Sequence, residues 1–300
     1  MNRIQQLAEL GQSIWYDNIR RALLDSGDMQ ALVEAGVSGV TSNPSIFEKA
    51  IAGSADYNKS IAELAGKGFN EKEIFEALAV EDIQRTADLL QPVYERSSGN
   101  DGFVSLEVSP TLANDTEGTI VEARQLHALL DRPNVMIKVP ATPAGIQAVK
   151  ALIGQGISVN VTLMFSLAHY AAAAEAYISG LEMFAAAGGD LSRVASVASF
   201  FISRVDTAVD RALESAGDSE LLGRIAIANA RAAYAQFRQT FTGARWETLA
   251  ALGANIQRPL WASTGTKNPL YPDTLYMDSL IGPDTVNTVP PATLEAFLDH

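Results

Sequence analysis

A single lysine interrupts an otherwise apolar, strand-like segment, VMIKV (135–139). Burial disfavours the charged ammonium form of a lysine, so the neutral amine of Lys138 would be available as a nucleophile. A neutral amine adds to a carbonyl carbon and forms a Schiff base, whose protonated imine can accept the electrons of a nearby breaking carbon–carbon bond. The segment therefore indicates either Schiff-base chemistry at Lys138 or a structural ion pair between Lys138 and Glu107.

Other kinds of catalytic centre find little support in the sequence. The chain has no cysteine, which excludes thiolate metal sites, iron–sulfur clusters and cysteine nucleophiles. Of the three histidines, His127 and His169 lie in helix-like segments and His300 is the last residue. Neither an H-E-x-x-H zinc motif nor a G-x-S-x-G nucleophile elbow occurs. We therefore expect no bound metal and no serine-based triad.

Polar residues recur near the ends of the other strand-like segments. Side chains alternate between the two faces of a strand, so Ser105 and Glu107 share one face of VSLEV (104–108), and the valines and the leucine share the other. An unpaired buried polar group costs about 1–3 kcal/mol, which makes such a polar face expensive as structure alone, although a self-satisfied polar plug is an alternative. The residues predicted to line this polar face are Asp17, Asn43, Glu107, Lys138, Asn160, Thr162 and Ser199.

Eight strand-like segments, separated by helix-like segments, would carry these residues. The eight segments span residues 13–17, 39–43, 103–108, 135–139, 157–162, 194–200, 259–263 and 285–289. Eight such repeats favour an α/β fold of the (β/α)8 TIM-barrel type, and the absence of G-x-G-x-x-G and P-loop motifs removes the main support for a Rossmann or P-loop fold. Barrels of this type carry their active sites at the C-terminal ends of the strands, where these polar residues lie.

The pattern predicts one domain spanning residues 1–300. An extra N-terminal helix is expected within residues 1–12, and gaps of about 60 residues after the second and sixth strands leave room for several helices each. The chain stops soon after the eighth strand, with PPATLEAFLDH, so we expect an incomplete closing helix and a C-terminal end that is part of a longer protein.

Composition narrows the function classes further. The 300 residues include 22 Lys and Arg against 35 Asp and Glu, a net charge of −13, and 47% are hydrophobic. Such a chain is globular, and its acidity argues against a nucleic-acid partner. No apolar stretch approaches the 18 residues of a membrane span, and the N-terminus lacks a signal-peptide core. We expect a cytoplasmic protein with no membrane partner, either a monomer or a homodimer.

Six motifs occur along the chain in a familiar order: GVTSNPSIFEKAI, VSLEVSPTLA, VMIKVPATPAGI, NVTLMFSLAHY, SFFISRVD and WASTGTKNP. Together they resemble the transaldolases, especially the longer bacterial subfamily, from Asp17 to about Pro290. The resemblance implies transfer of a dihydroxyacetone unit in the pentose phosphate pathway, from sedoheptulose 7-phosphate to glyceraldehyde 3-phosphate, giving erythrose 4-phosphate and fructose 6-phosphate, with no metal or organic cofactor. The longer subfamily also occurs fused to a phosphoglucose isomerase domain, which leaves a fused or partner domain beyond residue 300 open.

The resemblance also implies a role for each matching residue. Lys138 matches the Schiff-base lysine, and Asp17 matches the carboxylate that takes the proton from the substrate hydroxyl. Glu107 and Thr162 match the pair that positions a water for proton transfer. The residues that match substrate-binding positions are Asn43, Asn160, Ser199, Arg204 and Ser263.

Phosphate recognition is implied at Arg204, five residues after Ser199 in SFFISR. Many relatives carry a second arginine two residues after the serine that matches Ser263, whereas this chain has Gly265 there and Lys267 two residues further on. Lys267 is therefore the candidate second cation. A salt bridge with Asp206 or Asp210 at the start of a helix is the structural alternative for Arg204.

Two other functions remain open from the sequence. A Schiff-base aldolase of the same fold could use free dihydroxyacetone or another small donor. A barrel retained only as a binding or scaffold module is the other alternative, and it is disfavoured because every position that matches a catalytic residue is occupied by a suitable side chain.

Overall fold

Eight parallel strands close into one barrel in the computed structural model, which describes all 300 residues. Each strand pairs with the next, and the first closes the ring on the eighth. The strands are β1 (Gln12–Tyr16), β2 (Gly39–Thr41), β3 (Phe103–Glu107), β4 (Val135–Pro140), β5 (Val159–Met164), β6 (Ser196–Phe201), β7 (Gln257–Ala262) and β8 (Thr285–Val289). The predicted (β/α)8 barrel is confirmed, and all eight predicted strands are present with small shifts of their ends.

Helices surround the barrel and fill every connection between strands. They are α1 (Arg3–Glu9), α2 (Arg21–Asp25), α3 (Asp28–Ala35), α4 (Pro44–Ala52), α5 (Asn58–Gly66), α6 (Glu71–Arg96), α7 (Thr116–Leu130), α8 (Pro143–Ile153), α9 (Leu167–Ala186), α10 (Ser203–Ala216), α11 (Ile225–Thr240), α12 (Gly243–Ala251), α13 (Leu275–Ser279) and α14 (Pro291–Asp299). The expected extra helix is α1, which begins with a capping box between Asn2 and Gln5. The two long gaps hold three helices each, as the sequence allowed. No helix is both long enough and apolar enough to cross a membrane.

The two faces of the strands differ in polarity, as predicted. Val104, Ile137 and Val161 belong to a cluster of 59 buried residues between barrel and helices. Inside the barrel, a smaller cluster that includes Trp15 and Met136 fills the space towards the N-terminal ends of the strands. Polar side chains occupy the interior positions at the opposite end, because they come two residues later on the same faces.

The smaller apolar cluster inside the barrel depends on one close approach between the β2 backbone and the Trp15 ring. A Cβ atom at Gly39 would lie 2.4 Å from the Trp15 ring, so β2 can pair with β1 at this point only without a side chain. The Trp15 indole donates a hydrogen bond to Asp101, whose carboxylate also lies 3.6 Å from Arg258. This polar contact at the N-terminal end of the barrel was not predicted from the sequence.

Candidate active site

A cavity of about 510 Å³ opens at the C-terminal ends of the strands. Its wall contains every predicted site residue except Asn160, namely Asp17, Asn43, Glu107, Lys138, Thr162, Ser199, Arg204, Ser263 and Lys267. These residues come from seven of the eight strands or the segments that follow them. Parallel strands bring their C-terminal ends to the same rim of a barrel, which is why residues so far apart in sequence meet here.

Lys138 and Glu107 lie side by side because they are register partners on β4 and β3. The Lys138 Nζ atom is 3.5 Å from Glu107 Oε2 and donates a hydrogen bond of 3.1 Å to the carbonyl of Ser42. Lys138 is only 6% exposed, yet it forms part of the cavity wall. The ion pair considered from the sequence therefore exists, and it stands inside the cavity, where the amine can meet a bound carbonyl.

Asp17 is held by a hydroxyl from the neighbouring strand. Thr41 Oγ1 donates to Asp17 Oδ1 over 2.6 Å, and Thr41 also exchanges a hydrogen bond with Thr288 on β8. Asp17 Oδ2 makes no hydrogen bond within the protein, which leaves one carboxylate oxygen available to a bound molecule. Both threonines line the cavity, and neither was among the predicted site residues.

The end of β5 combines an unpaired hydroxyl with a strained backbone. Thr162 Oγ1 is buried and has no hydrogen-bond partner in the protein, although it belongs to a residue of the cavity wall. The next residue, Leu163, has a φ of 59°, in the left-handed region that a leucine rarely adopts. The β5–β6 register shifts between Val161 and Met164, and such bulges redirect side chains near active sites. The strained residue therefore directly follows Thr162, whose side chain forms part of the cavity wall.

Asn160 lies beneath the cavity and not on its wall. Its side chain is fully buried, with Nδ2 donating to Ser105 Oγ over 3.0 Å and Oδ1 accepting from Ser199 Oγ over 2.7 Å. The direct substrate contact that the family resemblance implies for Asn160 stays a prediction. Asn160 orients Ser199, which does line the cavity.

Asn43 and Lys49 belong to the segment after β2. Asn43 caps helix α4, since its Oδ1 accepts from the backbone NH of Ile46 over 3.0 Å, and Pro44 occupies the first helical position. The Asn43 amide nitrogen makes no hydrogen bond within the protein and remains available to the cavity. Lys49 is exposed, unpaired and part of the same wall. A lysine on a helix carries no strand signal, so sequence reasoning missed it.

Arg204 is free of the salt bridges considered from the sequence. Its guanidinium lies 5.0 Å from the ring centre of Phe201 and pairs with no carboxylate. Asp206 and Asp210 are buried and accept hydrogen bonds from other partners. The interpretation of Arg204 as a structural salt-bridge partner is therefore wrong, and an unpaired guanidinium stands at the edge of the cavity.

Ser263, the residue directly after β7, has an unusual backbone conformation. Its φ is 58°, its carbonyl accepts from the backbone NH of Ser203, and the two serine hydroxyls lie 2.8 Å apart. These contacts join the end of β7 to the start of α10. Lys267, four residues later, is exposed and unpaired on the cavity wall.

Gly265, the position considered in the sequence for a second phosphate-binding arginine, is tightly packed. A Cβ atom on Gly265 would lie 3.1 Å from Thr293 Oγ1 and 3.4 Å from Pro290 Cγ. A larger side chain would therefore require these neighbours to move. No group of three or more histidine, cysteine, aspartate or glutamate side chains is arranged to hold a metal ion.

Comparison with known proteins agrees with this geometry. The model of the family "Transaldolase/Fructose-6-phosphate aldolase" matches residues 14–300. "Transaldolase 1" of Streptomyces avermitilis is 50% identical over 304 residues, which cover 100% of this chain and 80% of the relative. "Transaldolase" of Thermobifida fusca is 52% identical over 301 residues, covering 99% of this chain and 82% of the relative. "Transaldolase" of Trichodesmium erythraeum is 46% identical over 311 residues, covering 100% and 82%.

About a fifth of each relative's length lies outside the match. The match of the family model over residues 14–300 and the relatives near 50% identity are decisive for classification. The chain belongs to the transaldolase/fructose-6-phosphate aldolase family.

Proposed function

We propose that the cavity binds the open-chain form of a ketose phosphate and that Lys138 takes its first three carbons as a dihydroxyacetone unit for transfer to an aldose phosphate. Transaldolase activity itself follows from the family and from relatives of about 50% identity over the whole chain. What we propose is the role of each residue in that activity. The observation that carries it is the Lys138 Nζ atom, buried in the cavity wall beside a carboxylate.

Imine formation begins with attack of the Lys138 amine on C2 of the ketose. The Lys138 nitrogen forms a bond to C2, and the oxygen of C2 leaves as water once it has been protonated. Glu107 lies 3.5 Å from that nitrogen and can hold the protons that move in this step. The unpaired hydroxyl of Thr162 supports its proposed role in positioning the water that later hydrolyses the imine.

Carbon–carbon cleavage follows from the imine. Asp17 takes the proton of the C4 hydroxyl, the C4–oxygen bond becomes a carbonyl, and the electrons of the C3–C4 bond move into the protonated imine to give an enamine. The aldose phosphate leaves, and the enamine then adds to the aldehyde carbon of the acceptor in the reverse sense. The hydrogen bond from Thr41 fixes the Asp17 carboxylate and leaves Oδ2 for the substrate.

We assign phosphate binding to Arg204 and Lys267, two unpaired cations after β6 and β7. A chain with a net charge of −13 repels sugar phosphates at long range, so local cations have to supply the attraction. The loops after the last strands of a barrel are frequent phosphate sites. For the cellular setting we propose the cytoplasm, with a monomer or homodimer as the assembly.

Dependence on an acceptor separates transfer from simple cleavage. With fructose 6-phosphate as donor, we expect formation of glyceraldehyde 3-phosphate beyond one equivalent per protein to require erythrose 4-phosphate, because the enamine persists until an aldehyde captures it. A coupled assay with and without the acceptor measures this dependence. Equal rates in both assays, with release of free dihydroxyacetone, would instead identify the aldolase alternative.

Removing the Arg204 guanidinium should weaken recognition of phosphate selectively. A charge-assisted arginine contact contributes roughly 1.5–3 kcal/mol, so Arg204→Ala should lower kcat/KM for fructose 6-phosphate about 10- to 150-fold. With fructose as donor and glyceraldehyde as acceptor, the change should be small. Lys267→Ala should cost less than Arg204→Ala, because a lysine lacks the bidentate fork. An equal loss of kcat/KM for phosphorylated and free sugars would show that Arg204 does not bind the phosphate.

A further inference from the structure

A buried carboxylate links the two segments that carry the proposed phosphate cations. Asp210 lies on α10, the helix that begins beside Arg204, and it is only 8% exposed. Its Oδ2 accepts a hydrogen bond of 2.8 Å from the hydroxyl of Tyr271, and its Oδ1 accepts one of 3.0 Å from the backbone NH of Gly223. Tyr271 belongs to the segment after β7, four residues beyond Lys267. The Tyr271–Asp210 bond therefore ties the Lys267 segment to the Arg204 helix.

A second tyrosine makes the same kind of contact one helical turn earlier. The Tyr276 hydroxyl, on α13, donates to Asp206 Oδ2 over 2.8 Å, and the backbone NH of Ala226 donates to Asp206 Oδ1 over 2.7 Å. Asp206 and Tyr276 are each only 1% exposed. Tyr276 thus anchors the far end of the segment in the core, whereas Tyr271 is half-buried and closer in sequence to Lys267.

Lys267 lines two neighbouring spaces. One is the large cavity, and the other is a pocket of about 230 Å³ whose wall also contains three carboxylates, Asp206, Asp210 and Glu214, and one further cation, Arg211. The Asp210 carboxylate attracts the Lys267 ammonium in any case, but its two oxygens already accept hydrogen bonds from Tyr271 and Gly223 and are less free to accept one from Lys267. The position of the Lys267 segment therefore depends on the Tyr271 hydroxyl, and so does the competition between Tyr271 and Lys267 for the Asp210 oxygen.

We propose that Tyr271 is a positioning residue for phosphate recognition: its hydrogen bond to Asp210 fixes the Lys267 segment against α10 and occupies the oxygen that would otherwise draw Lys267 away from the cavity. The proposal rests on the assignment of phosphate binding to Arg204 and Lys267. Burial and the neighbouring Asp210 raise the pKa of Tyr271 to about 12, so the hydroxyl stays protonated and remains a donor at neutral pH.

Tyr271→Phe removes the hydroxyl and keeps the ring, which packs against Gly223. Glucitol 6-phosphate is a suitable probe, because it carries the phosphate but has no carbonyl and its binding needs no Schiff base. Loss of one positioning hydrogen bond should weaken its binding about 3- to 10-fold by calorimetry. In the Lys267→Ala background the same substitution should cause no further loss, since its effect passes through Lys267. Tyr234→Phe, which removes a distant hydrogen bond to the Pro283 carbonyl, is the matched control.

Each outcome decides a different point. Unchanged binding by Tyr271→Phe, or an equal additional loss in the Lys267→Ala background, would overturn the positioning role. If the unmodified protein bound glucitol 6-phosphate no better than glucitol, the assigned phosphate site would fail and the positioning role with it. Binding of glucitol 6-phosphate by a protein that formed no Schiff base would leave the role of Tyr271 standing and overturn the proposed mechanism alone.

Discussion

Lys138→Met should abolish both turnover and covalent trapping of the donor. In the unmodified protein, borohydride added with fructose 6-phosphate should reduce the imine and leave a three-carbon adduct, which peptide mass mapping should place on Lys138. Methionine matches the length of the lysine side chain but has no amine, so no carbon–nitrogen bond can form. The remaining rate should fall to the background of the assay.

The control for this prediction is a second lysine of the same cavity. Lys49 is exposed and unpaired on the cavity wall, so Lys49→Met removes an amine that is more accessible to sugar and borohydride than that of Lys138. Trapping should survive that change. A thermal unfolding curve should confirm that Lys138→Met remains folded, since Glu107 loses a partner but is still partly open to solvent. An adduct mapped to Lys150 or Lys267 would refute the assignment.

The barrel was predictable because each strand carries its own signal. In VMIKV and VSLEV the side chains that face the helices are apolar, and this alternation gave both the strands and the face on which the polar residues lie. Thr41 and Thr288 could not be found in this way. Thr41 reaches Asp17 from the adjacent strand β2, and Thr288 reaches Thr41 only because β8 closes against β1, a pairing between chain segments almost a full length apart. No local pattern encodes that contact.

Matching residue types does not determine how deep a side chain lies in the site or which group it pairs with. Asn160 has the predicted place on β5, but its depth below the cavity depends on the hydroxyls of Ser105 and Ser199, which come from β3 and β6. Arg204 was ambiguous in the sequence because two aspartates follow it on the same helix. The structure resolves the ambiguity through Tyr271 and Tyr276, whose hydroxyls come from a segment more than 60 residues away.

Charge is distributed unevenly around the cavity of this acidic chain. Lys49 lies after β2, whereas Arg204 and Lys267 follow β6 and β7, and none of the three pairs with a carboxylate. Strands β2 and β6 stand on opposite sides of an eight-stranded ring. A phosphate held by Arg204 and Lys267 would direct the sugar chain inwards, towards Lys138. Lys49 would then add positive potential on the other side without contacting the same phosphate.

Removing the Asp17 carboxylate and removing the Glu107 carboxylate should impair different steps of the reaction. Asp17→Ala should block cleavage of the C3–C4 bond and still permit imine formation, because Asp17 is hydrogen-bonded to Thr41 and not to Lys138. Glu107→Ala should slow imine formation and hydrolysis, because Glu107 lies beside the Lys138 amine. Each loss should reach about 10²–10⁴-fold, as is usual when a general acid or base is removed. Rapid quenching with borohydride measures adduct and released aldose phosphate separately.

The ratio of adduct to product distinguishes these roles more clearly than the overall rate does. Asp17→Ala should accumulate adduct with little aldose phosphate, whereas Glu107→Ala should show slow appearance of both together. Thermal unfolding of each variant serves as the control for folding, because Glu107→Ala leaves the Lys138 Nζ atom with the Ser42 carbonyl as its remaining partner. The same delay in adduct and product for both variants would mean that the carboxylates act in one step. Asp17 would then have to be placed in imine formation, despite its 2.6 Å hydrogen bond to Thr41 on the β1–β2 side of the cavity.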